Sequence, residues 1–109
     1  MDLVIRREIL NNKLLKSREK MVLATLELIF KLDGKTCVEG FVNQKLISFV
    51  SGLPAMAVKC ALATLCRLQI IDIIHNQTNI YEETEDEYIY EEIKSIPHKE
   101  QFFIRVIGG

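Results

Sequence analysis

The sequence predicts one α+β domain, in which three helices form a core that packs against a small antiparallel β-hairpin. Three observations carry this prediction. Residues 53–71 run from a proline through an apolar helical pattern directly into an isoleucine-rich strand. Just upstream, Ser51-Gly52 indicates the end of another helix, because glycine takes the left-handed conformation that closes helices. Downstream, residues 75–79 (His-Asn-Gln-Thr-Asn) have the composition of a turn between strands.

Length and composition also fit a single small globular domain. The chain has 109 residues, of which 49% are hydrophobic and 27% charged, and this excludes a disordered chain. No apolar run is long enough to span a bilayer, and the N-terminus lacks a signal-peptide pattern, so we expect no membrane partner. The three cysteines are odd in number and form no CxxC pair, which argues against a disulfide framework. We therefore expect an intracellular, cytoplasmic protein, or one in the host-cell cytoplasm if the source is viral.

The chain begins with an extension and a strongly apolar helix. Residues 1–16 form an N-terminal extension, a candidate dimerisation element, in which a strand over residues 3–5 and helical turns from residue 10 both fit. Ser17 is the expected N-cap of helix one, which we predict from Arg18 to Leu32. Its polar stripe is narrow, so it carries more apolar surface than a one-sided surface helix requires.

Two further helices follow a brief predicted strand at residues 36–38. Helix two is predicted from Phe41 to Ser51, and helix three from Pro54 to Gln69, with the proline at its first position. The expected buried face of helix two consists of Val42, Leu46, Phe49 and Val50. The expected buried face of helix three consists of Val58, Ala61, Leu62, Leu65 and Leu68.

The second half of the chain predicts a β-hairpin and one more strand. Isoleucines at positions 70, 71, 73 and 74 favour a strand that leads into the turn at residues 75–79. The return limb begins at Ile80, and two registers remain open. Residues 88–90 (Tyr-Ile-Tyr) are either its paired strand after a long acidic loop or a third strand after a tighter turn. Pro97 then breaks the chain, and the C-terminal extension, residues 94–109, contains a candidate extra strand at 102–107.

In this order the elements of residues 17–93 resemble a winged helix-turn-helix domain, of the kind common in small microbial and viral transcription regulators. The resemblance rests on helix one, a short strand, helix two, the Gly52-Leu53-Pro54 turn, helix three and the hairpin from Ile70. It is a resemblance of fold and indicates no specific family. It implies a sequence-specific, double-stranded DNA-binding transcription regulator. Winged helices also serve as protein-interaction modules, and that function is the alternative.

The resemblance implies that residues 54–69 are the recognition helix, which would enter the major groove. Helical geometry places five side chains on the face opposite its core, with Ala55 and Thr64 at the edges: Met56, Lys59, Cys60, Ala63 and Arg67. Lys59 and Arg67 would contact phosphates or guanine edges. Met56, Ala63 and the Thr64 methyl group would contact thymine methyl groups.

Helix two and the wing turn would supply further DNA contacts. At the start of helix two these are the backbone N–H groups and the side chains of Asn43, Gln44 and Lys45. At the wing turn they are the side chains of Asn76, Gln77, Thr78 and Asn79.

The charge distribution bears on both functions. Residues 1–35 hold eight Lys and Arg against five acids, residues 36–71 hold three against one, and residues 72–109 hold three against nine. The absence of acids between Gly40 and Ile71 suits an approach to phosphates. In contrast, the acidic segment 82–87 cannot lie along a DNA groove, and helix three offers few long hydrogen-bonding side chains. Either the wing points away from the duplex, or helix three and the acidic wing contact a protein, as in the alternative function. We interpret the acidic run itself as a solvated charged surface that keeps an apolar small protein in solution.

The sequence contains no pattern of an enzyme. It has no glycine-rich phosphate loop, nucleophile elbow or paired catalytic carboxylates, so we expect no catalytic activity. His75 and His98 lie apart from cysteines and carboxylates at metal-ligand spacing, and we expect neither a metal nor a cofactor. Cys60 and Cys66 do not share a helix face, and we interpret them as small apolar fillers rather than as a redox switch.

Excess apolar surface predicts a homodimer. Helices two and three can cover only one face of helix one, which leaves surface near Leu23, Leu28 or Leu32. Together with residues 3–15 and the strand at 102–107, this surface is large enough for a symmetric interface. Two subunits would also present two recognition helices about one duplex turn apart.

Overall fold

Three helices make up most of the first half of the computed structural model, which describes residues 12–107. They are α1 (Ser17–Leu32), α2 (Gln44–Ser51) and α3 (Ala55–Arg67). α1 agrees with its predicted range, but Lys16, not Ser17, occupies the N-cap position. The buried Glu19 carboxylate accepts a hydrogen bond from the Lys16 backbone N–H and pairs with the Arg18 guanidinium at 3.3 Å. A carboxylate in the first turn is favourable because the helix dipole is positive there.

The strands form one antiparallel sheet in the order β1-β4-β2-β3. They are β1 (Glu39–Val42), β2 (Ile71–His75), β3 (Thr78–Asn79) and β4 (Phe102–Val106). In the register of the sheet, Phe103 lies opposite Phe41 and Ile104 lies opposite Ile73. β4 therefore occupies the centre of the sheet, and the predicted C-terminal extension is part of the domain. The fold is α+β.

The predicted turn at residues 75–79 is confirmed. Asn76 and Gln77 have φ angles of 51° and 65°, and two successive positive φ angles are typical of the type I′ turn that joins hairpin strands. The paired limb is only two residues long, because β3 ends at Asn79. Its side chain then caps a new helix by accepting a hydrogen bond from the Glu82 N–H.

Helices replace the predicted return strand. α4 (Ile80–Glu83) is followed by a 3₁₀ turn (Asp86–Tyr88) and by α5 (Ile89–Ser95). Both predicted registers for residues 88–90 are wrong. The physical reason is the spacing of Ile89, Ile93 and Ile96, which are all buried and recur at the period of a helix.

The start of helix two also differs from the prediction. Phe41 and Val42 belong to β1, and α2 begins only after Asn43, whose side chain accepts a hydrogen bond from the Leu46 N–H at 2.7 Å. The strand predicted at 36–38 therefore lies at 39–42. Gly40 suits this strand because its φ is 153° and a Cβ atom there would lie 2.9 Å from the Phe30 ring.

The turn between α2 and α3 forms as predicted. Gly52 has a φ of 76° and accordingly closes α2 in the left-handed conformation. Pro54 occupies the N-cap position of α3 rather than the predicted first helical position, and α3 ends at Arg67. The core-facing residues of α3 were predicted correctly, apart from Leu68, which is half-buried. The face predicted for α2 was not: its buried residues are Gln44 and Ile47.

Candidate interaction surfaces

The outward face of α3 is partly covered by its own chain. α5 packs against α3, and the Tyr90 hydroxyl donates a hydrogen bond to the Met56 sulfur at 3.0 Å. Because of this packing Ala63 is only 6% exposed, so its predicted place on an open face is wrong. Met56 remains 57% exposed. Lys59, Cys60 and Thr64 are half-buried, whereas Arg67 is exposed.

The chain from α4 to α5 is acidic, although only α5 packs on α3. Two of its exposed carboxylates lie on α5, and the full set is Glu82, Glu83, Glu85, Asp86, Glu87, Glu91 and Glu92. Lys94 lies 3.7 Å from Glu91 and 5.9 Å from the centre of the Tyr90 ring. A DNA backbone that approached α3 would meet this negative charge, which opposes binding.

The start of α2 is already engaged by the chain. The Lys45 N–H donates to the carbonyl oxygen of His98 at 3.1 Å, and the Leu46 N–H donates to Asn43. The Asn43 amide in turn donates to the Lys99 carbonyl at 3.5 Å. The backbone N–H groups of Lys45 and Leu46 are therefore already hydrogen-bonded within the chain. We had expected them to be free to bind phosphate, and they are not.

Gln44 and Lys45 differ sharply in accessibility. Gln44 is fully buried, and its amide donates to the carbonyl oxygens of Ile93 at 3.3 Å and Ile96 at 3.5 Å. In this position Gln44 cannot contact a phosphate, and it instead ties α2 to the end of α5. The Lys45 side chain is exposed.

The wing turn is exposed at its tip. Asn76, Gln77 and Thr78 are accessible, whereas the Asn79 side chain is used as the α4 cap. His75, at the base of the turn, has its Nε2 atom 2.6 Å from a Glu100 carboxylate oxygen. The structure thus places three of the four predicted turn contacts on the surface.

Several large apolar side chains are accessible elsewhere, on α1, β1 and α2. Phe49 is 84% exposed, Leu32 79% and Phe41 68%, and Leu28, Leu46 and Val50 are also accessible. We call these six residues the α1–α2 face. Ile29, Leu32, Phe41, Leu46 and Val50 together line a groove of about 420 Å³ between the two helices. Leu46 also lines a neighbouring hollow with Phe49, Asn43 and Lys45.

The geometry of α2 explains this exposure. Gln44 and Ile47 point into the domain, and the opposite side of the same short helix presents Leu46, Phe49 and Val50. The helical periodicity correctly grouped these three residues on one face, but that face is not the buried one. The buried glutamine at the first position of α2 was the signal that sequence reasoning missed.

Two of the three cysteine thiols, Cys66 and Cys37, have raised pKa values. Burial raises the pKa of the Cys66 thiol to about 12. A hydrogen bond to Glu39, 3.0 Å away, raises the pKa of the exposed Cys37 thiol. Cys60 is half-buried beside Tyr90. The pKa of the Tyr90 hydroxyl is raised mainly by partial burial and secondly by its interaction with Cys60. A thiol with a raised pKa is a weak nucleophile at neutral pH.

Comparison of the chain with protein-family models, curated proteins and solved structures finds no match. Within residues 12–107, no group of three or more His, Cys, Asp or Glu side chains could hold a metal ion. No single helix in the same range is long and apolar enough to cross a membrane. Only α2 and α3 taken together reach that length and composition, and they are bent by 108°.

Proposed function

We propose that this chain is a non-enzymatic protein-interaction module with a winged-helix topology. The order of helix, strand, helix, glycine turn, helix and hairpin supports the winged-helix assignment. The three free cysteines support a reducing, cytoplasmic location. A short helical segment takes the place of the second wing strand.

The observation that carries the proposal is the exposed α1–α2 face. Six large apolar side chains are accessible there, and four of them, Leu32, Phe41, Leu46 and Val50, line one groove. Monomeric proteins rarely expose apolar patches larger than a few hundred Å², and larger ones mark interaction sites. We therefore assign this face, rather than α3, as the main contact surface.

Two further observations favour a protein partner over DNA. α5 lies against the face of α3 that a recognition helix would present to the major groove. The chain from α4 to α5 carries seven exposed carboxylates, two of them on α5 itself. DNA binding through Lys45, Lys59 and Arg67 is the competing function, and it requires a duplex to approach this acidic surface.

Titration of a fluorescent duplex pool at low salt distinguishes the two functions. The parent is compared with a variant in which Glu82, Glu83, Glu85, Asp86 and Glu87 are replaced by Gln or, for the aspartate, Asn. We expect neither protein to bind, because α5 lies outside the substituted residues and still packs on α3.

Specific DNA binding by either protein would contradict the proposal. Binding that is lost in Lys59→Ala and Arg67→Ala, but kept in Lys20→Ala, would identify α3 as the reading helix. Lys20 is the matched control because it is an exposed lysine on α1.

A further inference from the structure

We infer that the α1–α2 face is the interface of a homodimer, in which a second copy of this chain packs the same face against it. This inference rests on the proposed function, since it names the partner of that surface. The interface differs from the predicted one. Leu23 is fully buried and β4 lies inside the sheet, so neither contributes. Of the predicted segment 3–15, residues 3–11 lie outside the described residues, Leu15 is buried and Leu14 is exposed. Leu28 and Leu32 are the predicted residues that belong to the α1–α2 face.

The apolar area matches what a dimer requires. If a full phenylalanine side chain offers about 200 Å², the exposed parts of Phe41 and Phe49 provide roughly 300 Å². With the four aliphatic side chains, the α1–α2 face reaches on the order of 600 Å². A standard interface takes about 800 Å² from each partner, of which about 65% is apolar in homodimers. The face therefore supplies the apolar part of such an interface.

The shape of the face is self-complementary. The highly exposed Leu32 lines the groove between α1 and α2, and the highly exposed Phe49 lines the neighbouring hollow, which shares Leu46 with that groove. In a two-fold arrangement, the same patch is used by both subunits, so a protruding residue of each copy can enter the groove of the other. A surface that carries both exposed side chains and a groove can pack against a second copy of itself.

The outward side of α1 continues the apolar surface. Met21, Ala24, Leu28 and Leu32 follow one another at successive helical turns, and all four are exposed. The small Ala24 allows the α1 helices of two copies to approach closely. Lys20 and Lys31 of α1 lie beside this stripe, Lys45 is the one charged residue of α2, and Asp33 lines the groove where α1 ends. A mainly apolar centre with a polar rim is typical of protein interfaces.

The oligomeric state of the full chain tests the inference. Sedimentation equilibrium at micromolar concentrations should give twice the monomer mass of 12.6 kDa for the parent. Phe49→Glu should raise the dissociation constant of the dimer at least about thirtyfold, since a buried aromatic anchor typically contributes 2 kcal/mol or more. Tyr88→Glu, at an exposed aromatic residue outside the face, should leave the dimer intact.

Thermal unfolding of each variant controls for folding, and Leu32→Lys provides a second variant if Phe49→Glu does not fold. A parent that stays monomeric throughout would overturn the homodimer, as would a Phe49→Glu variant that dimerises like the parent. A monomeric parent that also fails to bind DNA would leave the interaction module standing with a different protein as partner. The failure of this inference and the failure of the proposed function are therefore distinguishable.

Discussion

Two neighbouring helices of this domain, α2 and α3, differ in what covers their outer faces. Part of the outer face of α3 is covered by α5, which comes later in the chain, and Ala63 is buried there while Met56 and Arg67 stay exposed. The outer face of α2 has no such cover among residues 12–107, and it leaves Phe49 almost fully accessible. An apolar helix face thus becomes core or contact surface according to whether another segment reaches it.

The difference has a direct consequence for function. Under the proposed function, the packing of α5 on α3 limits the approach of that helix to a DNA groove, while the uncovered side of α2 is the contact surface for a partner. Gln44 links α2 to α5. It is buried on the inner side of α2, and its amide donates hydrogen bonds to carbonyl oxygens at the end of α5. The same contact therefore fixes the cover of α3 and orients α2 with its apolar side outward.

The largest expected effect is a difference in the free energy of unfolding between truncating a buried residue of α5 and truncating an exposed residue of α2. Ile93→Ala should lower the free energy of unfolding by about 2–5 kcal/mol, because Ile93 is fully buried in α5 and its truncation leaves a cavity. Phe49→Ala should change it by less than about 0.5 kcal/mol, because the ring is mainly in solvent. Urea unfolding measures both.

These unfolding experiments belong at the lowest workable protein concentration, so that dissociation of a dimer does not contribute. A cost of 2 kcal/mol or more for Phe49→Ala under those conditions would mean that the α1–α2 face is covered within the monomer. A negligible cost for Ile93→Ala would mean that α5 does not cover α3.

A smaller effect concerns the accessibility and pKa of the cysteines. Cys66 should resist alkylation until the protein unfolds, since it is buried and its pKa is raised to about 12. Cys37 should react first, but its thiolate forms at a higher pH than that of an ordinary thiol because Glu39 raises its pKa. Glu39→Gln removes the negative charge, so it should move the Cys37 labelling profile to lower pH. Mass spectrometry of labelled peptides follows each site.

An unchanged Cys37 profile in Glu39→Gln would show that the carboxylate does not control this thiol. Cys60 adds a check on the cover itself, because it is half-buried on α3 beside Tyr90. Its labelling should become faster in Ile93→Ala, whereas that of Cys37 should not change.

Local sequence signals predicted much of this fold. The long apolar pattern gave α1, Gly52 gave the left-handed end of α2, and residues 76–77 gave the hairpin turn. The strand near the C-terminus was also found, at Phe102–Val106. In each of these cases a local property of the residues, such as helical period or turn conformation, determines the structure.

The errors involved choices that local patterns leave open. Residues 88–90 carry β-favouring side chains, but the burial of Ile89, Ile93 and Ile96 selects a helix. Phe41 and Val42 fit a helical spacing, yet they pair with β4, which lies about sixty residues later in the chain. Whether the apolar side of α2 is buried likewise depends on tertiary contacts. The predicted DNA contacts at Gln44 and Ala63 fail for this reason.

Hydrogen–deuterium exchange of the full chain tests the contrast between the two helix faces most directly. The exchange of peptides from α1, α2 and α3 is measured at low and high protein concentration, and again with duplex DNA. We predict that exchange in residues 28–32 and 44–51 slows as the protein concentration rises, whereas exchange in residues 55–67 does not change. We also predict that DNA changes the exchange of none of these three segments. Slower exchange in residues 55–67 on adding DNA, with no concentration dependence in α2, would contradict the account.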